Sequence, residues 1–216
     1  MTRLLVIGAS QGIGLAVCKA AAGRGHSVRA MSRRGSSSND FGKSIESFRG
    51  DALSPDDVMR ALEGIDVVVQ ALGIPPSLDL ILRPVTLFSA ATRVLLSAMK
   101  TAGVRKLVSV TGFGAGDSND AINIFQRLPF KALLQNAYND KTIQEELIVA
   151  SDMDWLIVRP GVLTNFPATG SYQVLTPPSS WRNGIISRTD VADFIVTRIS
   201  ADQFNREKPV VIRYPL

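Results

Sequence analysis

The amino-acid sequence predicts an α/β fold, a doubly wound parallel sheet of about seven strands with helices on both faces. Short runs of consecutive apolar residues recur along the chain, which is typical of strands buried on both faces of a parallel sheet. Segments with apolar residues at helical spacing separate these runs, and a glycine-rich turn follows the first run. The 216 residues, 45% hydrophobic and 20% charged, can bury a core without metal or disulfide support.

Strands and helices alternate through the first half of the chain. The first apolar run ends at Gly8, and the helical spacing that follows it ends at Gly23 and Gly25. Ser54 and Pro55 are typical of a helix N-terminus, because serine caps the free amides and proline fits the first turn. The predicted strands are 4–7, 28–31, 45–48 and 67–69, and the predicted helices are 13–22 and 56–63.

The second half keeps this alternation but carries two irregular segments. Gly112, Gly114 and Gly116 open the first segment, 112–139, and residues rich in Pro, Thr, Ser and Asn form the second, 164–186. The remaining predicted strands are 106–110, 155–158 and 210–213, and the remaining helices are 85–102, 141–150 and 191–199. We expect Thr189 to cap the last helix, and residues 1–216 to form a single domain.

The turn between the first strand and the first helix is the strongest motif in the chain. It reads Gly8-Ala9-Ser10-Gln11-Gly12-Ile13-Gly14. Glycine permits a tight turn and a close approach of the backbone to a pyrophosphate, and a helix start offers unpaired N–H groups. An ordinary turn does not need three glycines, so the motif predicts a nucleotide-binding site built from these seven residues.

This motif and several later segments resemble one known family. Its sequence G-A-S-x-G-I-G is similar to the glycine motif of the short-chain dehydrogenase/reductase superfamily. The chain resembles the atypical branch, which includes NmrA-like and biliverdin reductase B (flavin reductase)-like proteins. Further similar segments are 107–112, the Lys-x-x-x-Glu helix at 141–147, the strand ending in Arg-Pro-Gly at 155–161, and the Asp-Val-Ala segment at 186–192. Their order resembles that branch over nearly the whole chain, which implies an NAD(P)-binding Rossmann domain.

The end of the second strand indicates which dinucleotide binds. An acidic residue there would bind the ribose 2′-hydroxyl of NAD(H), whereas a basic residue accommodates the 2′-phosphate of NADP(H). Here Ser32, Arg33 and Arg34 stand at that position, and the next carboxylate is Asp40. Because guanidinium groups suit phosphate, we expect NADP(H) to be preferred over NAD(H), with Arg33 as the first ligand. The alternative is a solvated basic loop.

The resemblance implies further cofactor contacts after the third, fourth and sixth strands. Asp51 and Ala52 match the adenine-contacting Asp of the family and its neighbour, although Asp51 could equally serve to start the next helix. The turn after the fourth strand would pass beneath the nicotinamide ribose, and the residues after the sixth strand would lie by the carboxamide. These residues are Ala71, Leu72, Gly73, Pro160, Gly161 and Val162.

The catalytic pattern of the family is present only in part. The pattern is a Tyr four residues before a Lys, with a Ser or Thr at the end of the fifth strand. Lys141 and Thr111 match it, which implies that Lys141 binds ribose and that the Thr111 hydroxyl orients nicotinamide or substrate. Ala137 stands at the Tyr position, and Tyr138 could replace the acid only if the helix begins after it, since one residue rotates a helical side chain by about 100°. The alternative for Lys141 is a pair with Glu145 four residues later.

Composition and charge argue against several other classes of protein. The net charge is +5, but the 24 Lys and Arg are scattered, so we expect no nucleic-acid partner. No apolar run reaches the length of a membrane span, and the first run stops at the glycine motif, so we expect neither a membrane protein nor a secretory signal. No cluster of His, Cys or carboxylate residues suggests a metal site, and Cys18 as the single cysteine favours a cytoplasmic location. We expect a monomer or a small homo-oligomer.

These features favour an NADPH-dependent oxidoreductase that passes hydride to a planar acceptor of the flavin, quinone or tetrapyrrole type. Such an acceptor can take its proton from solvent, so the missing Tyr is tolerated. Phe113, Phe166, Tyr172 and Trp181 lie in the irregular segments, where they would stack on the acceptor or else anchor the loops. Two alternatives stay open: an NADP-binding redox sensor of the NmrA-like type without turnover, and, less favoured, a sugar-nucleotide epimerase or dehydratase, which would need the Tyr–Lys pair and a larger carboxy-terminal region.

Overall fold

The computed structural model describes residues 1–35, 44–74, 85–121 and 124–215, and for 119–121, 124–134 and 215 it describes the backbone alone. Asp40 lies outside the described residues. The described strands are β1 (Arg3–Ile7), β2 (Ser27–Ser32), β3 (Ile45–Arg49), β4 (Val67–Gln70), β5 (Lys106–Val110), β6 (Asp154–Pro160), β7 (Val162–Thr164), β8 (Gln173–Leu175), β9 (Gly184–Ser187), β10 (Val210–Ile212) and β11 (Tyr214–Pro215). The described α-helices are α1 (Gly12–Gly23), α2 (Pro55–Ala61), α3 (Leu87–Ala102), α4 (Ile124–Val149) and α5 (Arg188–Ser200).

The main sheet confirms the predicted doubly wound architecture. Its strand order is β3-β2-β1-β4-β5-β6-β10-β8, and its neighbours are parallel except for the antiparallel pair β10–β8. Strand β9 pairs with β7 and β11 in a second, three-stranded sheet. The main sheet therefore has eight strands in the described part of the chain, one more than predicted.

Two layers of helices cover the main sheet, and the alternation of side chains along each strand supplies both cores. In β1, Leu4 and Val6 face the core that contains α1 and α5, whereas Leu5 and Ile7 face α2, α3 and α4. All four side chains are buried, which is why the strand reads as a continuous apolar run. None of the described helices is long and apolar enough to cross a membrane.

Helix α3 is held in place by a carboxylate from another helix. The Thr86 side chain makes no capping hydrogen bond, although Thr86 stands at the N-cap of α3. Instead, the buried carboxylate of Asp140 in α4 accepts hydrogen bonds from the backbone N–H of Phe88 at 2.7 Å and of Ser89 at 3.3 Å. The N-terminus of α3 and the middle of α4 are therefore fixed to each other.

Three sequence-based expectations about boundaries are wrong. Helix α4 begins at residue 124, so much of the predicted irregular segment 112–139 is helical, while residues 122–123 lie outside the described residues. The segment 164–186, expected as a loop, contributes β8 and the start of β9 because its backbone groups pair with β10, β7 and β11. Helix α5 is capped by Ser187 instead of Thr189, since the Ser187 hydroxyl accepts from the N–H of Asp190 at 3.0 Å.

The order of the strands reverses between β1 and β4, which opens a crevice at their carboxyl ends. In doubly wound sheets ligands bind at this point. Gly8 follows β1, and Ala71 follows β4. A methyl group on Gly8 would lie 2.5 Å from the carbonyl oxygen of Ala71, and the φ of Gly8 is +89°, so only glycine fits there. The glycine turn therefore lies at this crevice, where the sequence predicts the nucleotide-binding site.

Candidate active site

The glycines of the turn have different structural roles. A methyl group on Gly14 would overlap the carbonyl oxygen of Gly8, so this glycine permits helix α1 to pack against the end of β1. Gly12 has a φ of +63°, and the nearest atom to a methyl group placed there is Arg188 Nε at 3.9 Å. Gly12 therefore borders open space, which leaves room for a ligand to approach its backbone.

The start of α1 is free to bind an anion. Gln11 is the N-cap residue but makes no side-chain capping hydrogen bond, and the first turn carries no acidic residue. Ser10, Gln11 and Gly12 are exposed, whereas Ala9 and Ile13 are buried beneath them. The first amides of a helix have no acceptor within the helix, so they remain available to phosphate oxygens.

The end of β2 lies beside this turn. The backbone N–H groups of Gly8 and Ala9 donate to the carbonyl oxygen of Met31 at 3.1 and 3.2 Å. The next residue, Ser32, has a buried hydroxyl with no hydrogen-bond partner among the residues that the structure describes. Arg33 and Arg34 are exposed and form no ion pair with the residues that the structure describes. These groups fit an additional phosphate next to the glycine turn.

Asp51 lies in the turn that leads into helix α2, in agreement with one of its two predicted roles. Its Oδ1 accepts from the N–H of Leu53 at 3.0 Å, and its carbonyl oxygen accepts from the N–H of Ser54 at 3.0 Å. Ala52 beside it is buried. The structure leaves the predicted adenine contact of Asp51 and Ala52 as a prediction.

The two other turns predicted to contact the cofactor, 71–73 and 160–162, differ in how many of their backbone groups already form hydrogen bonds within the protein. Gly73, after Ala71 and Leu72, is exposed, and a methyl group there would contact nothing within 4 Å. By contrast, the carbonyl oxygen of Pro160 accepts from Phe113 N–H at 3.0 Å, and Gly161 N–H donates to Val211 at 3.2 Å. A methyl group on Gly161 would overlap the carbonyl oxygen of Gly184, so this glycine serves packing. Val162 is 39% exposed beside them.

Lys141 belongs to helix α4, and its ammonium group lies at the carboxyl end of β5. Its Nζ donates to the carbonyl oxygen of Thr111 at 2.6 Å and lies 4.6 Å from the centre of the Phe88 ring. Burial lowers the pKa of Lys141 to about 8, although the nearby Glu145 and Asp140 carboxylates act to raise it. Among the described residues Lys141 forms no ion pair, so the predicted alternative of a Glu145 partner is wrong.

The residues around the missing tyrosine are packed into the protein. Ala137 is buried and packs with Phe88. Tyr138 stands inside α4, so the helix does not begin after it, but its ring still reaches Gly112, which follows β5. Its hydroxyl would lie 3.1 Å from a methyl group on Gly112. Burial raises the pKa of Tyr138 to about 12.

Sequence reasoning missed a buried ion pair beneath these residues. Glu145 pairs with Arg159, which also pairs with Asp117, and both Glu145 and Arg159 are buried. The Thr111 hydroxyl donates to Glu145 Oε1 at 2.7 Å. Burial alone would lower the pKa of Arg159, but the hydrogen bonds and charges of Glu145 and Asp117 raise it. A charged residue within an otherwise apolar strand, as Arg159 is, signals such a partner.

Three of the four aromatic residues pack against other parts of the protein, as the predicted alternative of loop anchoring requires. Phe113 lies in a buried cluster, the Tyr172 ring meets Phe194 edge to face at 6.0 Å, and Trp181 lies 4.8 Å from the Arg159 guanidinium. Phe166 is 65% exposed. No group of three or more His, Cys, Asp or Glu side chains in the described ranges could hold a metal ion.

Comparison with known proteins agrees with this geometry. A family model described as NAD(P)H-binding matches residues 8–202. The chain belongs to this family. The match begins at the first glycine of the turn and confirms the predicted NAD(P)-binding family.

Individual relatives are more distant. YhfK of Bacillus subtilis, named an uncharacterized sugar epimerase, is 26% identical over 188 residues, which cover 84% of this chain and 79% of YhfK. The solved structure of ChuY, an anaerobillin reductase from Escherichia coli O157:H7, has a TM-score of 0.79 and 24% identity and covers 98% of this chain and 97% of ChuY. A Veillonella parvula short-chain dehydrogenase/reductase in complex with NADP has a TM-score of 0.81 and 15% identity, with 98% and 94% covered. The two solved structures show the same fold.

Proposed function

We propose that this protein is an NADPH-dependent reductase that passes hydride to a planar acceptor of the flavin, quinone or tetrapyrrole type. The observation that carries the proposal is the replacement of the tyrosine acid. Ala137 stands four residues before Lys141 and is buried against Phe88, so that position offers no proton to a substrate carbonyl. A planar, electron-poor acceptor does not need such a donor, because it can take its proton from water.

The neighbouring hydroxyl groups support this choice. A general acid works best when its pKa is near the working pH, whereas burial raises that of Tyr138 to about 12. The Thr111 hydroxyl already donates to Glu145. Bound NADPH supplies the hydride, and the protein's part is to hold the two reactants and keep water from the reacting carbon.

The chain's own residues hold the cofactor from three sides in this proposal. Gly12 and the first turn of α1 bind the pyrophosphate, Ser32 and Arg33 bind the 2′-phosphate, and Lys141 binds the nicotinamide ribose. The open space at Gly12 supports these assignments, as does the buried hydroxyl of Ser32, which has no partner in the described part of the chain.

Arg33→Ala tests the preference for NADP(H). Removal of one charge-assisted phosphate contact should cost about 1.5 to 3 kcal/mol of NADPH binding. NADH lacks the 2′-phosphate, so its affinity should not change. Titration of both dinucleotides against wild type and variant measures the effect, and an unchanged NADPH preference would reject the assignment.

A linear tetrapyrrole is the first acceptor to test. The ring of Phe166 is exposed. Its backbone lies beside α5, where the Thr189 hydroxyl donates to the Phe166 carbonyl oxygen at 3.2 Å. An exposed aromatic ring suits stacking on a planar molecule. The similarity of the fold to that of ChuY, an anaerobillin reductase, supports this class of acceptor.

NADPH oxidation with a panel of acceptors tests the proposed activity. We expect turnover with biliverdin, a flavin or a quinone, and none above background with aldehydes and ketones. Turnover confined to carbonyl compounds would overturn the proposal. Tight NADPH binding without any turnover would favour the alternative, a redox sensor of the NmrA-like type. The epimerase alternative predicts that the protein converts a sugar nucleotide, and the same protein preparation can be assayed for this conversion.

A further inference from the structure

Arg188 places a guanidinium group beside the glycine turn. It is the first residue of α5, far from the turn in sequence, yet its Nε lies 3.9 Å from the position of a methyl group on Gly12. Its Nη1 donates to the side-chain oxygen of Asn165 at 2.7 Å. Asn165 therefore fixes one edge of the guanidinium, while the Nε edge faces the space that Gly12 keeps open.

The charge of Arg188 has no counterion in the described part of the chain. No Asp or Glu there pairs with it, in contrast to the buried Arg159. The first turn of α1 also lacks an acidic residue. An unpaired cation and the positive end of a helix dipole thus lie side by side, and two like charges so placed favour an anion between them.

We propose that Arg188 is a ligand of the dinucleotide's pyrophosphate, opposite the amides of Gly12 and the first turn of α1. This inference rests on the dinucleotide site of the proposed function. The dinucleotide site then has two cationic subsites. Arg33 recognises the 2′-phosphate and sets the choice of cofactor. Arg188 recognises the pyrophosphate, which NADPH and NADH share. Asn165 orients Arg188, since a side chain held at one edge loses less freedom on binding.

Arg188→Gln distinguishes the two subsites in a binding titration without turnover. It should weaken NADPH and NADH by the same factor, about tenfold or more, so that the ratio of their affinities stays constant. Arg33→Ala should change that ratio. Arg188→Lys keeps the charge but loses the planar donors, so we expect a loss of several-fold for both dinucleotides. Arg93→Gln is the matched control, because Arg93 is an exposed cation on α3 with no assigned role.

The outcomes separate this inference from the proposed function. If the wild type binds neither dinucleotide, the proposed function fails. If the wild type binds and a folded Arg188→Gln binds both equally well, the inference is overturned. A loss confined to NADPH would also overturn it, because Arg188 would then serve the 2′-phosphate. Should the Gln variant not fold, Arg188→Lys decides: unchanged affinity for both dinucleotides overturns the inference, and a common loss supports it.

Discussion

Lys141 holds its ammonium group between a backbone carbonyl and an aromatic ring. The carbonyl oxygen of Thr111 accepts a hydrogen bond from it, and the face of Phe88 lies 4.6 Å away. Burial lowers its pKa to about 8 from an ordinary 10.5. Lys141 is therefore still charged at neutral pH but loses its proton at a mildly alkaline pH, where exposed lysines keep theirs.

We expect NADPH affinity to fall as the pH rises above 8. The negative charge of the bound dinucleotide favours the ammonium form, so we expect binding to raise the pKa of Lys141 and to take up a proton above pH 8. Affinity should fall by up to about tenfold for each unit by which binding raises this pKa. Titrations at pH 7 and 9.5 measure the effect. Lys141→Met should bind more weakly and lose this pH dependence, and a variant with the same dependence would contradict the assignment.

Residue roles were harder to predict than residue positions. The glycines and Arg33 carry local signals, because they lie in a turn and at a strand end wherever the fold is right. The contacts of Thr111 with Glu145, and of Glu145 with Arg159, join residues 34 and 14 positions apart. Such pairs depend on how α4 packs against β5 and β6, and no local pattern contains that information.

At the scale of elements, the glycine turn separates ligand binding from packing. Gly12→Ala should fold, at a cost of about 1 to 2 kcal/mol for its left-handed backbone, and lose at least about tenfold in NADPH affinity. Gly25→Ala is the matched control, since its φ is +80° and a methyl group there contacts nothing. It should lose similar stability and no affinity. Equal NADPH affinity in both variants would contradict the assignment of Gly12 to the pyrophosphate site.

Gly14→Ala should behave differently from Gly12→Ala. Its methyl group would overlap the carbonyl oxygen of Gly8, so α1 would have to move away from β1. The expected effect is therefore a large loss of stability, with the loss of binding as its consequence.

The buried ion pair joins α4 to β6. Glu145→Gln leaves the buried charge of Arg159 without its main partner, which should lower the free energy of unfolding by about 3 to 5 kcal/mol. Glu146→Gln is the control on the same helix, because Glu146 is exposed. It should change stability by less than about 0.5 kcal/mol. Urea denaturation of both variants checks this, and equal losses would show that the pair does not hold the helix.

Elements with a strong hydrophobic period were predicted well, and elements with a weak one were not. The sequence places strands β1, β4 and β5 within one residue, since most residues of each strand are apolar. Strand β8 is three residues long and two of them are exposed, so it forms only because β10 is there to pair with it. Ser187 and Thr189 both have side chains suited to an N-cap, and the backbone of the preceding strand decides between them.

At the scale of the whole molecule, the second irregular segment is attached to the dinucleotide-binding half through α5. Asp190 accepts hydrogen bonds from the N–H of Thr169 at 2.7 Å and of Gly170 at 2.9 Å, and Arg188 bonds Asn165. Burial acts to raise the pKa of Asp190, but these hydrogen bonds outweigh it and lower the pKa. The segment that carries Phe166 is thus held against the same helix end that faces Gly12.

The fold and the family follow from the sequence because their signals are repeated along the chain. The identity of the proposed acceptor does not follow from the sequence, since we expect its recognition to depend on which aromatic side chains stay exposed. Tyr172 packs on Phe194, and Trp181 packs on Arg159, through contacts that the loop sequence does not contain. Phe166 has the same local setting in the sequence and remains exposed.

The most direct test of the central claim is a single turnover of [4,4-²H₂]NADPH with biliverdin in ordinary water, with the product analysed by mass spectrometry. We predict a reduced tetrapyrrole that carries one deuterium on carbon from the cofactor and one proton from water, at a rate that Tyr138→Phe changes by no more than a few-fold. A reduced product without deuterium would contradict hydride transfer. A loss of about 10²-fold or more in the Tyr138→Phe variant, with normal NADPH affinity, would contradict proton delivery by solvent and identify Tyr138 as the acid.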